Sequence, residues 1–154
     1  MSETKNNHDH WPDLAGKIIN QMHVLPIRVY YEDTDFSGFV YHANYLKFCE
    51  RGRSDCLRLL GIHHHELEAN SQSGFVVRQM NCDFLKPAKI DDVLEVQTRF
   101  VSAKGARMFL EQSVWRSDEC LFKTSVTAVL IDAQSRPRRF TDEIVKVFSS
   151  LSPS

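Results

Sequence analysis

YYEDTDFSGFVYHANYLKFCERGRSDCLRLL, residues 30–60, is the segment that decides the fold of this chain of 154 residues. It starts at the end of an extended run, residues 27–31, whose aromatic and β-branched side chains are typical of a strand. A short acidic loop follows, and the stretch from about Ala43 to Leu60 then has the pattern of an amphipathic helix. Gly61 stands where helices favour a left-handed residue. The segment therefore predicts a strand, a tight loop and a long helix in direct succession.

The predicted helix has a buried face that is small in its middle. Its apolar and small residues recur at steps of three and four: Tyr45, Phe48, Cys49, Gly52, Cys56, Leu59 and Leu60. A glycine inside a helix costs about 1 kcal/mol relative to alanine, so Gly52 predicts that a sheet lies very close to the helix. The charged residues on the other sides are expected to be in solvent: Arg51, Arg53, Asp55 and Arg58.

The acidic loop brings a carboxylate, Asp35, just ahead of the helix start. The first N–H groups of a helix have no partner inside it and carry about half a positive charge between them. Such an end can stabilise a carbonyl oxygen that is becoming an oxyanion. The segment therefore favours an acyl-transfer enzyme, although a turn aspartate that only binds nearby backbone is the simpler explanation for Asp35 alone.

Composition limits the class of protein. Hydrophobic residues make up 42% of the chain, charged residues 25%, and the formal net charge is −1, as expected for one soluble globular domain. This charge gives no reason to expect nucleic acid, and no apolar run approaches the ~18 residues of a membrane span. Residues 1–24 lack the apolar stretch of a secretory signal. We therefore expect a cytoplasmic protein with four reduced cysteines.

From residue 74 onward the apolar period changes to two, in four segments separated by short turns. This pattern predicts four antiparallel strands joined as a meander. Thr141 is expected to cap a short helix from Asp142 to about Phe148. Together with the first strand, the elements predict an α+β fold in which a long helix packs on a five-stranded antiparallel sheet. A single sheet of this kind has an exposed face and edges, so we expect a dimer.

The remaining segments are expected to lie outside the folded domain, residues 25–149. Residues 1–24 are predicted to be a flexible extension and residues 150–154 a tail. Three adjacent histidines, His63 to His65, invite a metal-site interpretation. Adjacent residues of a helix point about 100° apart, so these side chains cannot converge on one ion, and we expect no metal site.

The central segment resembles the signature of the 4-hydroxybenzoyl-CoA thioesterase family, and most closely its YbgC branch of acyl-CoA thioesterases associated with the Tol-Pal system. The resemblance rests on VYYEDTD at 29–35 and GFVYHANY at 38–45, which give the pattern D-x-D-x-x-G-x-x-x-H-x-x-Y. FVVR at 75–78, and Pro87-Ala88 ahead of Asp91-Asp92, also fit that branch. The similarity covers about residues 27–148.

This resemblance implies a hot-dog fold that works as a homodimer or as a homotetramer built from two dimers. It implies hydrolysis of an acyl-CoA thioester without a metal or other cofactor. The family's catalytic aspartate falls on Asp35, and the residue whose backbone N–H polarises the thioester carbonyl falls on His42. Residues expected to support the loop and pocket are Asp33, Gly38, Tyr41, Asn44 and Tyr45. Lys104 and Arg107 are candidates for binding the CoA phosphates.

Several alternatives stay open at this stage. Asp35 could be the general base for water or a nucleophile that forms a mixed anhydride. A non-catalytic acyl-binding or scaffold protein could use the same fold to dock acyl carrier protein or a membrane-associated partner. For either function, a cytoplasmic location at the periphery of the inner membrane stays open. A dehydratase would instead depend on Glu50, for which we expect a salt bridge to Arg53 or Arg78. Phe36 and Cys49 depart from the branch and leave the acyl chain length open.

Overall fold

The computed structural model describes residues 11, 14–62 and 74–152, and these contain one antiparallel sheet and two α-helices. The strands are β1 (Lys17–Ile19), β2 (Met22–Arg28), β3 (Gly74–Phe84), β4 (Val93–Lys104), β5 (Arg107–Arg116) and β6 (Glu119–Ile131). The helices are α1 (Asn44–Leu59) and α2 (Asp142–Ser149), and a 3-10 turn spans Tyr31–Asp33. The predicted α+β class, the long helix and the short final helix are confirmed. The histidines at 63–65 lie outside the described residues.

Strand order in the sheet is β1-β2-β4-β5-β6-β3. The prediction of four separate strands after residue 74 is confirmed, but their joining as a simple meander is wrong. β3 pairs with β6 rather than with β4, so residues 85–92 must cross from one edge of the sheet to β4. We call residues 85–92 the crossover segment. It is held on the way by the loop ahead of α1, because Val40 N donates to Ala88 O at 2.8 Å.

The sheet has six strands, one more than the expected five, because it begins earlier in the chain. Lys17–Ile19 pairs with β2 through a turn at Asn20 and Gln21, both with positive φ. β2 itself starts at Met22 and ends at Arg28, so the strand expected at 27–31 lies mostly earlier. Residues 17–24, assigned above to the flexible extension, are therefore part of the sheet.

Helix α1 lies across the sheet at very short range, as Gly52 predicted. A Cβ added at Gly52 would lie 2.8 Å from Val96 Cγ1, closer than carbon atoms approach without displacing each other. Residues at alternate positions of β4 are buried: Leu94, Val96, Thr98 and Phe100. The alternating pattern of β4 therefore identified the face that packs on the helix.

A buried glutamine fixes the helix to the sheet. Gln112 Nε2 donates to Cys49 O at 2.9 Å and to Thr98 Oγ1 at 2.9 Å. Its Oε1 accepts from Arg53 Nη1 at 2.8 Å, so all three polar contacts of this side chain are made inside the protein. The expectation that Arg53 is solvated is wrong, because its long side chain reaches back under the helix to Gln112.

The short helix α2 closes the far end of the sheet. Thr141 Oγ1 accepts from Ile144 N at 3.2 Å, which confirms the predicted N-cap. Phe148 and Leu151 are buried against Phe100 and Cys56 in a core cluster at that end. A second cluster, around Tyr45, Phe48 and Phe122, fills the end that lies next to the start of α1.

Candidate active site

The loop ahead of α1 is fixed by Asp33, which is buried. Its Oδ2 accepts from Tyr30 N at 2.9 Å. Its carbonyl oxygen accepts from Tyr41 N at 3.0 Å and from Asn44 Nδ2 at 2.8 Å. Asp33 thus ties the strand end, the end of the loop and the first residue of α1 together. Asn44 faces the loop, where a supporting residue was expected.

Asp35 presents an exposed carboxylate that is bonded on one oxygen. Asp35 Oδ1 accepts from Ser37 N at 2.8 Å and from the Ser37 hydroxyl, while Oδ2 has no donor among the described residues. The Ser37 hydroxyl, then the Ser37 N–H, lower the pKa of Asp35 below its usual value, and the nearby His42 contributes less. Asp35 is therefore ionised at neutral pH and has one free oxygen for chemistry.

Two unpaired peptide N–H groups lie just ahead of α1, whereas the first N–H groups inside the helix are bonded. Asn44 N donates to Tyr41 O at 2.8 Å, Tyr45 N to His42 O at 3.3 Å and Leu46 N to Ala43 O at 3.1 Å. The N–H groups of His42 and Ala43 have no acceptor within the described part of the chain. Because an acceptor placed there would also meet the positive end of the helix dipole, this is a suitable place for a carbonyl oxygen.

Aromatic side chains surround the helix start. The exposed His42 ring lies 4.6 Å from the Tyr41 ring and 5.8 Å from the Phe84 ring, centroid to centroid. Tyr45 is buried and stacks on Phe122 at 5.2 Å, and its hydroxyl accepts from Ala88 N at 3.0 Å. These rings give the helix start an apolar wall beside its free N–H groups.

Two residues of the loop, Gly38 and Phe36, are not packed against the core. Gly38 has a φ of +86°, and a Cβ added there would meet nothing within 4 Å. The glycine is therefore needed for its left-handed conformation and not for space. Phe36 is fully exposed in the single chain, so it does not close over the site within one protomer.

The two basic candidates lie far from Asp35 in a single protomer. Lys104 ends β4 and Arg107 begins β5, at the turn next to α2. The crossover segment, which contacts the Asp35 loop, leads into the other end of β4 at Val93. Strands rise about 3.3 Å per residue, so nearly the whole length of β4 separates these residues from the candidate site.

Glu50, the rival carboxylate, does not form the expected salt bridge. Its Oε1 accepts from Ser54 Oγ at 2.8 Å, and no ion pair joins it to Arg53 or Arg78 among the described residues. The expectation failed because Arg53 turns inward to Gln112. Glu50 instead stands at a cavity of about 190 Å³ between α1 and the sheet, together with Arg53 and Ser54.

This cavity is mostly apolar and lies along α1 from the helix start. Its other walls come from β3, β4, β5, β6 and the α2 end: Cys56, Leu57, Phe75, Val76, Val77, Thr98, Met108, Leu110, Ala128, Phe148 and Leu151. Phe84, at the opposite end of β3, is the residue that contacts His42. β3 therefore contributes residues both to the surroundings of His42 and to the wall of the cavity.

The described ranges contain no candidate metal site and no helix that could span a membrane. No group of three or more His, Cys, Asp or Glu side chains there is placed to hold a metal ion. In the same residues, no helix is long and apolar enough to cross a bilayer. The thiols of Cys49 and Cys56 are buried, which raises the pKa of each to about 12, so neither is a thiolate nucleophile.

Two contributors to the site were missed in the sequence. Ser37 was not singled out, although an aspartate two residues before a serine is a common pattern for a local hydrogen-bonded turn. Ala88 contacts both the loop and Tyr45 through its backbone alone. No side-chain signal could have shown this, because the contact depends on where the crossover segment runs.

Comparison with known proteins gives a consistent result. Residues 37–122 match the thioesterase superfamily. The acyl-CoA thioesterase YbgC of Haemophilus influenzae is 40% identical over 128 residues, covering 82% of this chain and 94% of that protein. The acyl-CoA thioester hydrolase YbgC of Escherichia coli O6:H1 is 38% identical over 128 residues, covering 80% and 92%. A solved probable thioesterase from Bartonella henselae aligns with a TM-score of 0.75 at 42% identity, covering 78% of this chain and 99% of that one.

One antiparallel sheet packed on one long helix is the architecture of a hot-dog protein. The expected fold class is confirmed by the structural alignment as well as by the sheet itself. The chain belongs to the thioesterase superfamily, and the expectation that it is a thioester hydrolase is confirmed.

Proposed function

We propose that this protein hydrolyses an acyl-CoA thioester to a free carboxylic acid and CoA. The observation that carries the proposal is the exposed Asp35 carboxylate in the same short segment as the unpaired N–H groups of His42 and Ala43. The names of the relatives from Haemophilus influenzae and Escherichia coli support acyl-CoA as the substrate class.

In the proposed reaction the thioester carbonyl oxygen accepts from His42 N–H at the helix start. Loss of one such donor typically costs ~2.7–4 kcal/mol of transition-state stabilisation. Asp35 Oδ2 either takes a proton from the attacking water or attacks the carbonyl carbon itself to form a mixed anhydride, which water then hydrolyses. In both routes the C–S bond breaks and CoA leaves as a thiolate, which needs little acid help because its pKa is near ~8.5.

The acyl group is proposed to run between α1 and β3 towards the cavity at Glu50. Glu50 follows His42 by eight residues, which corresponds to about 12 Å of helix rise. A short acyl group bound at His42 would not reach the cavity, whereas a long aliphatic chain would fill it. The apolar lining supports an aliphatic chain over a strongly polar one.

The working unit is proposed to be a homodimer that pairs through β3, or a tetramer of two such dimers. β3 is an edge strand, and Val76, Val77 and Phe84 on it are each more than 40% exposed in the single chain. Unpaired apolar edges are prone to pair with another chain. Lys104 and Arg107 remain proposed phosphate ligands only for such an assembly, in which a second protomer could supply them.

The proposal is tested by incubating the purified protein with CoA thioesters from acetyl to palmitoyl and with acyl carrier protein thioesters, and measuring free thiol. Turnover of CoA thioesters, with kcat/KM rising towards longer chains, is expected. The Asp35→Asn protein, purified in parallel, controls for contaminating thioesterases. Binding of acyl-CoA by calorimetry without any thiol release would contradict the proposal and favour the non-catalytic acyl-binding alternative.

A further inference from the structure

One arginine, Arg116, supports the crossover segment through contacts to Asp92 and Pro87. Arg116 Nη1 lies 2.8 Å from Asp92 Oδ2 and 3.4 Å from Pro87 O. Arg116 Nη2 lies 3.5 Å from Glu119, whose other oxygen is 3.0 Å from Lys86 Nζ. The guanidinium therefore contacts both ends of the short stretch that contains Ala88.

Asp92, the ion-pair partner of Arg116, also binds backbone groups of the crossover segment and of the strand end at Val29. Its Oδ2 also accepts from Lys89 N at 3.0 Å, and its backbone carbonyl accepts from Val29 N at 2.9 Å. Partial burial opposes ionisation, but the Lys89 N–H and the Arg116 guanidinium hold the pKa of Asp92 below its usual value. The ion pair with Arg116 is therefore intact at neutral pH, and it is largely shielded from solvent, with 29% and 13% of the two side chains exposed.

The other side of the same stretch faces the candidate site. Val40 N donates to Ala88 O at 2.8 Å, and Ala88 N donates to the Tyr45 hydroxyl at 3.0 Å. Phe39 also pairs with Lys89 as an antiparallel bridge. Val40 lies between Asp35 and His42 in sequence, and Tyr45 lies in the first turn of α1. One residue, Ala88, thus connects the loop that bears the carboxylate to the first turn of α1.

We propose that Arg116 is a positioning residue for thioester hydrolysis. It fixes Ala88 through Asp92 and Pro87, and so holds the Asp35 loop at the correct distance from the N–H groups of His42 and Ala43. The inference rests on the proposed function, because it assigns a role within that reaction. Arg116 touches neither Asp35 nor His42, and its effect must pass through the backbone of the crossover segment. Small displacements of a catalytic group can reduce turnover strongly without changing binding.

The first test does not depend on activity. Amide hydrogen exchange is measured on peptides that contain Val40 and Ala88, in the wild type, in Arg116→Ala and in Arg58→Ala. Arg58 is the matched control, because its pair with Asp55 has the same 2.8 Å separation but lies on the outer side of α1. At least tenfold faster exchange of the Val40 and Ala88 amides is expected in Arg116→Ala only. Unchanged exchange at these amides would overturn the proposal.

The second test measures turnover of the best CoA thioester by the same proteins and by Arg116→Lys. A kcat at least tenfold lower, with KM within threefold, is expected for Arg116→Ala at temperatures well below its Tm. The lysine variant, which keeps the pair with Asp92, should recover to within threefold of wild type. A kcat for Arg116→Ala within twofold of wild type, or an equal loss in Arg58→Ala, would overturn the proposal.

The two tests separate this inference from the proposed function. A wild type that releases no thiol contradicts the proposed function and this role with it, whereas an active wild type with an equally active Arg116→Ala contradicts the positioning role alone. Should Arg116→Ala not fold, Asp92→Asn removes the same ion pair while keeping the side-chain volume. Its kcat must then fall at least fivefold with KM within threefold, and an undiminished kcat would overturn the proposal.

Discussion

Ser37 lowers the pKa of Asp35, the candidate catalytic group. Both the hydroxyl and the N–H of Ser37 donate to Asp35 Oδ1, and each stabilises the ionised carboxylate and so lowers its pKa. A carboxylate with a low pKa is a weaker base, yet it stays ionised over a wider pH range. The arrangement therefore keeps Asp35 ionised to a lower pH than its ordinary pKa would allow.

Replacing Ser37 by alanine should move the acid limb of the pH profile upward. The hydroxyl is lost while the backbone N–H stays, so the pKa of Asp35 should rise towards its ordinary value of about 3.9. Because ionised Asp35 is the active form, activity is present above this pKa and is lost as the pH falls through it. The measurement is kcat/KM as a function of pH for wild type and Ser37→Ala.

Ser149→Ala is the control, since the Ser149 hydroxyl binds only Val145 O within α2. Its acid limb should coincide with that of the wild type. An acid limb of Ser37→Ala that stays in place, or moves to lower pH, would contradict the assignment of Asp35 as the group that must be ionised.

At the level of elements, the contact between α1 and the sheet sets the geometry of the site, because it determines where the helix starts. Gly52 allows the close approach of helix and sheet, and Gln112 fixes the distance between them by donating to Cys49 O. Gly52→Ala adds a methyl group 2.8 Å from Val96 Cγ1. Overpacking of this kind typically costs ~1–3 kcal/mol, which here opposes the gain of about 1 kcal/mol that alanine usually brings to a helix.

We therefore expect Gly52→Ala to lower the free energy of unfolding, as measured by urea denaturation at constant m-value. Gly74→Ala is the matched control, because a Cβ at Gly74 would meet nothing within 4 Å. A stability of Gly52→Ala equal to or above that of the wild type would show that the helix and the sheet are further apart than described.

The two layers could be predicted from sequence because their periodicity is strong. α1 follows from its three- and four-residue steps, and the buried faces of β4 and β6 follow from their alternation. β1 could not be predicted, because it has only three residues and all are exposed. The pairing of β3 with β6 was also out of reach, since a period of two gives the face of a strand but not its neighbour.

The candidate site was only partly predictable for a related reason. Asp35, His42 and Asn44 lie in one local segment, so a motif could bring them together. Ala88 contacts that segment from a distant part of the chain through its backbone groups. Arg116 acts on it only indirectly, through its ion pair with Asp92. Nothing in the local sequence around either residue indicates where the crossover segment will run.

At the scale of the whole molecule, the exposed apolar edge of β3 is the basis for the proposed dimer. Replacing Val76 and Val77 together by lysine places two charges on this edge, which disfavours strand pairing between chains. Light scattering after size-exclusion chromatography should give twice the 17.8 kDa of one chain, or four times that mass, for wild type. The double variant should give the mass of one chain.

Thiol release should fall as well, because Val76 and Val77 also line the cavity proposed for the acyl group. The mass is therefore the readout for assembly, and the activity is not. A paired control with Glu143 and Lys146 on the exposed side of α2 replaced by alanine should keep the wild-type mass. A wild type that runs as a monomer with full activity would contradict the proposed working unit.

The central claim is that the Asp35 carboxylate, acting with the unpaired N–H groups of His42 and Ala43 just ahead of α1, carries out the hydrolysis. The most direct measurement is the kcat of Asp35→Asn for the best CoA thioester, with substrate affinity measured separately by equilibrium binding. Because general base catalysis is typically worth 10²–10⁴-fold, the account predicts a loss of at least about 10²-fold in kcat, with affinity close to that of the wild type and unchanged folding. An Asp35→Asn protein that turns over at the wild-type rate would contradict it.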